Sequence, residues 1–131
     1  MNEYSYRLKV FYEDTDSGGV VYYANYLKFF ERARTEAISE IGLSNKKLLE
    51  ENGIFIIVKS CNIEYKKPAK LEDQIEIKSN IISIPNTSFK MRQKAYRDND
   101  LITDCEIHLV IVDKKGKPSK IPEILKKKLD N

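Results

Sequence analysis

The sequence predicts an α+β fold in which one long helix packs on a mainly antiparallel sheet. Three observations predict it. Residues 4–12 alternate apolar and polar side chains, the period of a half-buried strand. Residues 25–41 then change to a spacing of three and four, the period of an amphipathic helix. Four more strand-like segments follow, joined largely by hairpin-length turns. The 131 residues suit a single domain spanning 1–131, with no repeat or low-complexity linker to divide it.

The elements follow in order. Tyr4, Tyr6, Leu8, Val10 and Tyr12 share one face of the first strand, with Ser5, Arg7 and Lys9 on the other. A loop over 13–24 holds Gly18 and Gly19. In the helix, Tyr26, Phe30, Ala33, Ala37 and Ile41 recur on one face, joined by Leu27, Phe29 and Ile38. Its length is about 25 Å at 1.5 Å per residue. Asn25 is the expected N-cap and Gly42 the expected residue just past the C-terminus. A short second helix is expected over 44–52, stopped by Gly53. Ile54–Tyr65 begins almost continuously apolar, which predicts burial on both faces near Ile54–Val58. Strands at 74–84, 88–96 and 101–112 are separated by Pro85-Asn86 and by Arg97-Asp-Asn-Asp100. They aim Ile75, Ile77, Ile81, Phe89, Met91, Ala95, Leu101, Cys105, Ile107, Leu109 and Ile111 inward. A short helix over 123–129 ends the chain.

Composition excludes several classes. No apolar run approaches the ~20 residues of a membrane span. The first ten residues read as a strand rather than a secretory leader, so a cytoplasmic location is expected. Cys61 and Cys105 lack metal-ligand spacing and are expected as buried free thiols. With His108 as the only histidine, placed on the polar face of its strand, no zinc site is expected. The net charge is +3, and lysines cluster at 66, 67 and 70, at 114, 115, 117 and 120, and at 126–128. Such patches suit an anionic partner and leave room for peripheral membrane association. No nucleic-acid motif accompanies them.

Candidate chemistry is concentrated between Val10 and Tyr26. Asp14 and Asp16 close the first strand, Gly18-Gly19 follows, and the long helix begins within ten residues. A helix N-terminus carries unpaired N–H groups and partial positive charge. Glycines let the backbone approach a ligand closely. A carboxylate beside such a group can activate water against a polarised carbonyl. Asp14-Thr-Asp16-Ser-Gly18-Gly19 also looks like the opening of a calcium loop, but the twelfth position is Asn25 and not Glu, and a strand precedes it. No metal is expected.

Across nearly its whole length the chain resembles the hotdog-fold acyl-CoA thioesterases of the 4-hydroxybenzoyl-CoA thioesterase type, and within them the small YbgC-type branch associated with the Tol–Pal envelope system. The first motif is Tyr12-Glu-Asp-Thr-Asp16-Ser-Gly-Gly-Val-Val-Tyr22 with Asn25-Tyr26 and Phe30-Glu-Arg-Ala-Arg-Thr-Glu36. The second is Ile63-Glu-Tyr65-x-x-Pro68-Ala-x-Leu71-x-Asp73. The resemblance implies a long central helix wrapped by a five-stranded sheet and assembled as a homodimer or homotetramer. It implies Asp16 as general base or nucleophile and an oxyanion contact from backbone N–H groups at Val21, Tyr22 and Tyr23. It implies no cofactor beyond the coenzyme A of the substrate. Many relatives carry histidine where this chain has Tyr23, so histidine assistance is not expected here. Gly18, Gly19 and Tyr26 are candidate substrate contacts, and Lys59, Lys66, Lys67 and Lys70 candidate phosphate contacts. Glu31 and Glu36 on the helix are reserve carboxylates, and Glu13 and Asp14 more naturally fix the loop.

The alternatives to hydrolysis of acyl-CoA are a non-catalytic acyl-binding or scaffold protein of envelope or lipid metabolism, a thioesterase acting on acyl carrier protein, a hotdog dehydratase, and an acyl transferase. A pure binder has no evident need of Asp16, and a dehydratase needs a histidine that is not in place.

Overall fold

A computed structural model of the chain describes residues 3–130; Met1, Asn2 and Asn131, the ends of the expected domain, lie outside the described residues. The elements are β1 (Glu3–Lys9), α1 (Asn25–Glu40), α2 (Asn45–Asn52), β2 (Ile54–Tyr65), β3 (Gln74–Ser83), β4 (Ser88–Arg97), β5 (Asp100–Asp113) and α3 (Glu123–Asp130). The strands form one antiparallel sheet in the order β1-β3-β4-β5-β2. The α+β architecture read from the sequence is therefore the observed one.

Helix α1 lies on one face of this sheet because its apolar stripe matches the sheet's inward residues. Tyr26, Phe29, Phe30, Ala33, Ala37 and Ile38 are buried, and the same core takes in Ile75, Ile77, Met91, Ala95, Cys105, Ile107 and Leu109. Leu27, expected on this stripe, is exposed. One position on β4 breaks the apolar rule. Gln93 is fully buried, and its side-chain amide donates to the Phe30 carbonyl and the Ser79 hydroxyl while its Oε1 accepts from Arg34 Nη1. All its polar atoms are thus answered, as burial requires.

Several boundaries differ from the sequence reading. Strand β1 ends at Lys9, and a 3-10 turn over Tyr12–Asp14 swings Tyr12 into solvent. Val10, fully buried, leaves the ladder to exchange backbone bonds with the 72–73 segment. Ala24, not Asn25, is the N-cap of α1, and the Asn25 side chain instead donates to the Asp14 carbonyl. Ser44 caps α2 by accepting from the Lys47 N–H, and Gly53 ends α2 in the left-handed conformation.

Strand β2 is the largest correction. Phe55, Ile57 and Val58 are 42–48% exposed. The strand is a sheet edge, and among the described residues no other strand pairs with its free side. Cys61, expected buried, is exposed for the same reason, while Cys105 one strand inward is fully buried. His108 is half-buried, and its Nε2 has no partner among the described residues.

Candidate active site

Residues 15–21 form a small hairpin ahead of α1. Thr15 bridges Val21, the Asp16 N–H donates to the Val20 carbonyl, and the Gly19 N–H returns to the Asp16 carbonyl. A three-residue turn of this type needs a left-handed residue at its end, and Gly19 supplies it with φ of +79°. At the base of the turn, Asp16 is exposed and its Oδ1 accepts from the Gly18 N–H at 2.8 Å. That bond fixes the carboxylate and leaves Oδ2 without a partner among the described residues. Gly18 has a second reason to lack a side chain, since a Cβ there would lie 3.2 Å from Asp16 Oδ1.

Asp14 is a structural residue. It is buried, its Oδ2 accepts from the Phe11 N–H, and its carbonyl accepts from the Tyr22 N–H and the Asn25 side chain. Glu13 faces solvent.

The start of α1 sorts the three expected N–H donors. Val21 N–H is committed to the Ala69 carbonyl at 2.8 Å and Tyr22 N–H to the Asp14 carbonyl at 3.1 Å. Tyr23 N–H has no acceptor among the described residues; the first turn of the helix closes on the carbonyls of Tyr22, Tyr23 and Ala24. Tyr23, just ahead of the Ala24 N-cap, and Ala24 itself therefore present N–H groups without an acceptor among the described residues.

Around it is a cleft of about 240 Å³ lined by Val21, Tyr23, Tyr26, Tyr65, Lys66, Lys67 and Pro68. Tyr65 is the residue that sequence reasoning quoted within a motif but did not assign. Its hydroxyl donates to the Tyr23 carbonyl at 3.2 Å, and its ring lies 5.4 Å from that of Tyr26 and 6.2 Å from that of Tyr23. Burial, with the nearby cysteine sulfurs adding to it, pushes the Tyr65 phenol above its ordinary range. The Tyr22 phenol is raised as well, first by its hydrogen bond with Tyr23. Neither phenol competes with a carboxylate as a base.

The second motif builds the rear wall. Tyr26 is buried, and its hydroxyl accepts from the Ala69 N–H while the Ala69 carbonyl takes Val21 N–H. One residue thus ties both the hairpin and the helix to the 66–73 segment. That segment is held in turn by Asp73, whose Oδ2 accepts from Lys70 N–H and from Arg97 Nη1, and Arg97 also donates to the Pro68 carbonyl.

The lysines separate. Lys66 and Lys67 reach the cleft, paired with Glu64 and Asp100 respectively. Lys70 bridges Val20 through its backbone. Lys59 lines a groove with Ile57, His108 and Val110, on the sheet face away from α1. Glu31 lines a smaller cleft under the middle of α1 and accepts from the Thr35 hydroxyl, and Glu36 is exposed; neither belongs to the Tyr23 cleft. Asp16, Gly18 and Gly19 do not line the cleft either, but the hairpin carrying them is fastened to it through Val21. Among the described residues no cluster of side chains has the makings of a metal site, and no helix is long and apolar enough to cross a membrane.

Comparison with known proteins converges on one family. The profile of the thioesterase-like superfamily matches residues 10–129. The acyl-CoA thioester hydrolase YbgC of Escherichia coli is 41% identical over 118 residues, covering 88% of this chain and 87% of that protein. The acyl-CoA thioesterase YbgC of Haemophilus influenzae is 36% identical over 126 residues, covering 95% and 93%. Among solved structures, a probable thioesterase from Bartonella henselae superposes with a TM-score of 0.89 at 29% identity, over 92% of this chain and all of the other. With the hotdog architecture and a fastened carboxylate hairpin ahead of the helix, these matches have one reading: the chain belongs to the thioesterase-like superfamily and is a hotdog-fold thioester hydrolase.

Proposed function

We propose that the chain hydrolyses acyl-CoA, with Asp16 as the reacting carboxylate and Tyr23 N–H as the oxyanion donor. The observation that carries this reading is the uncommitted Tyr23 amide at the mouth of an aromatic cleft, while the amides of the two residues before it are occupied. A thioester carbonyl seated there accepts from Tyr23 N–H, and the developing charge is stabilised by that donor and the helix terminus behind it. Asp16 Oδ2 takes a proton from water as water adds to the carbonyl, and the tetrahedral intermediate expels the coenzyme A thiolate. As a general base Asp16 supplies about 10²–10⁴-fold. The other route has Asp16 attack the carbonyl itself, giving an anhydride that water opens. Lys66 and Lys67 lie at the cleft where the phosphate-bearing half of coenzyme A would emerge.

The same reading places a second copy of the chain against the free edge of β2. Exposed apolar side chains flank that edge on both faces, Phe55 and Ile57 on one and Val58 on the other, and an antiparallel partner strand would pair with the backbone between them. An isologous pairing of this kind gives a homodimer, which two such units can double.

Asp16→Asn keeps the turn bond to Gly18 and removes the base. It is expected to lower kcat by at least ~10²-fold with the assembly intact, while Tyr23→Phe keeps the backbone donor and stays within about threefold of wild type. Thiol release from a panel of acyl-CoAs reads both. Equal turnover by Asp16→Asn and wild type would remove Asp16 from the reaction. Label found in Asp16 after a single turnover in ¹⁸O-water would establish the nucleophilic route with water opening the anhydride at the Asp16 carbonyl, since the general-base route places all label in the product acid.

A further inference from the structure

Asn25 is not the helix cap that its position in the sequence suggests, since Ala24 holds that place. Its side chain has other work. Nδ2 reaches out of α1 and donates to the Asp14 carbonyl at 2.8 Å. The same carbonyl accepts from the Tyr22 N–H at 3.1 Å, where the hairpin that carries Asp16 meets the approach to the helix. The Asn25 N–H returns to the Tyr22 carbonyl at 2.8 Å. Only Tyr23 and Ala24 lie between these anchors, so the open Tyr23 amide is held from both sides.

We infer that Asn25 is a positioning residue, whose amide locks the start of α1 to the hairpin and so sets the Tyr23 N–H against the Asp16 carboxylate. The inference rests on the roles proposed above for Asp16 and Tyr23. Hairpin and helix are two pieces, each with its own fastening. The hairpin is closed by the Thr15–Val21 bridge and the bond from Asp16 N–H to the Val20 carbonyl, and Val21 N–H ties it to Ala69. The helix reaches Ala69 separately, through the Tyr26 hydroxyl. Among the described residues, Asn25 Nδ2 makes the one side-chain hydrogen bond that runs directly from α1 to the 11–21 loop.

The chemistry of the residue fits this task and not that of a cap. A carbonyl oxygen has two lone pairs; Tyr22 N–H takes one at Asp14, and the other calls for a donor. An amide supplies it. Aspartate has the same shape and suits a helix N-terminus at least as well, but it is acceptor-only when ionised and would turn a negative charge on the Asp14 carbonyl. Asn25→Asp therefore separates the two roles. Placement of this kind governs rate, because a shift of about 1 Å between reacting groups costs up to ~10²-fold.

The test uses the purified full chain in its native assembly, with thiol release from whichever acyl-CoA of the panel wild type hydrolyses fastest. Asn25→Asp and Asn25→Ala are expected to lower kcat about 10- to 100-fold, with KM within about threefold of wild type and with assembly and helix content retained. Should Asn25→Ala lose its assembly, Asn25→Asp carries the test. The double variant Asp16→Asn with Asn25→Ala reads the coupling. It is expected to turn over within about threefold of Asp16→Asn alone, because Asn25 has nothing left to align once the carboxylate is gone. Wild-type kcat in Asn25→Asp would overturn the inference, as would losses that multiply in the double variant. Equal turnover by Asp16→Asn and wild type would instead remove the proposed function, and the inference with it, so the two failures are told apart by the Asp16→Asn arm.

Discussion

At the scale of single residues, the site divides its labour between backbone and side chain. Asp14 and Asp16 are two positions apart and do opposite work. Asp14 turns inward and closes the loop, while Asp16 stays in solvent with one oxygen held by Gly18 N–H. Spacing alone does not separate two such carboxylates; the family resemblance singles out Asp16, and in the structure Asp14 is buried and bonded into the loop while Asp16 is exposed. Tyr65 was harder to single out, because an aromatic near the end of a strand is ordinary packing until the fold brings it over α1. Its hydroxyl holds the carbonyl of the residue whose N–H faces the proposed substrate. Tyr65→Phe removes about 0.5–1.5 kcal/mol of positioning, so kcat/KM is expected to fall roughly 2- to 10-fold with stability nearly unchanged. Steady-state kinetics beside a thermal melt would check it; an unchanged kcat/KM would make Tyr65 mere packing.

At the scale of elements, periodicity revealed the helix and strands, and hydrogen bonding decided what periodicity could not. The inward register of β4 was legible from Phe89, Met91 and Ala95, and the same alternation puts Gln93 inward too. What the pattern could not say is that the Phe30 carbonyl, Ser79 and Arg34 would be waiting for it. Helix α1 is fastened to the 66–73 segment by the Tyr26 hydroxyl in the same hidden way. Tyr26→Phe leaves the Ala69 N–H without its acceptor in a fully buried setting. A loss of about 1–3 kcal/mol in unfolding free energy is expected, measured by urea denaturation. The edge strand β1 offers a pH test. Ser5 hydrogen-bonds the Glu76 carboxylate and holds it below its ordinary range, partial burial opposing and Arg7 assisting. A depressed folded value stabilises the protein above the unfolded carboxylate pKa, about 4.3. That contribution is lost as pH falls through the lower folded value. Amide exchange in β1 is expected to accelerate over that acid window in wild type, and Glu76→Gln should flatten the dependence.

At the scale of the whole molecule, the sequence read β2 as buried on both faces and one chain leaves it open. On the proposed pairing of two chains the mismatch has a physical source. Hydrophobic content records what a strand meets in the functional assembly, and exposure in one chain records only intramolecular cover. The order of strands could not be read from local patterns either, since β2 lies last in the sheet although it is second in sequence. Val58→Asp is the direct test. Val58 is half-exposed in the single chain, so the fold should tolerate the charge. Across an isologous interface the two copies would bring like charges together, and dissociation to monomers with loss of turnover is expected by analytical ultracentrifugation and thiol release. An unchanged dimer would place the interface elsewhere.

The free amide at Tyr23 has a consequence for how such an enzyme can be searched experimentally. If the electrophilic half of the reaction is written in the main chain, alanine scanning through residues 21–24 passes over it, because every replacement keeps the same N–H. The informative edit is atomic: an ester in place of the amide between Tyr22 and Tyr23, made by installing the α-hydroxy acid at Tyr23. That exchange deletes one hydrogen-bond donor that the fold itself does not use. Asp16 would then be working opposite an oxygen with one fewer place to put its charge.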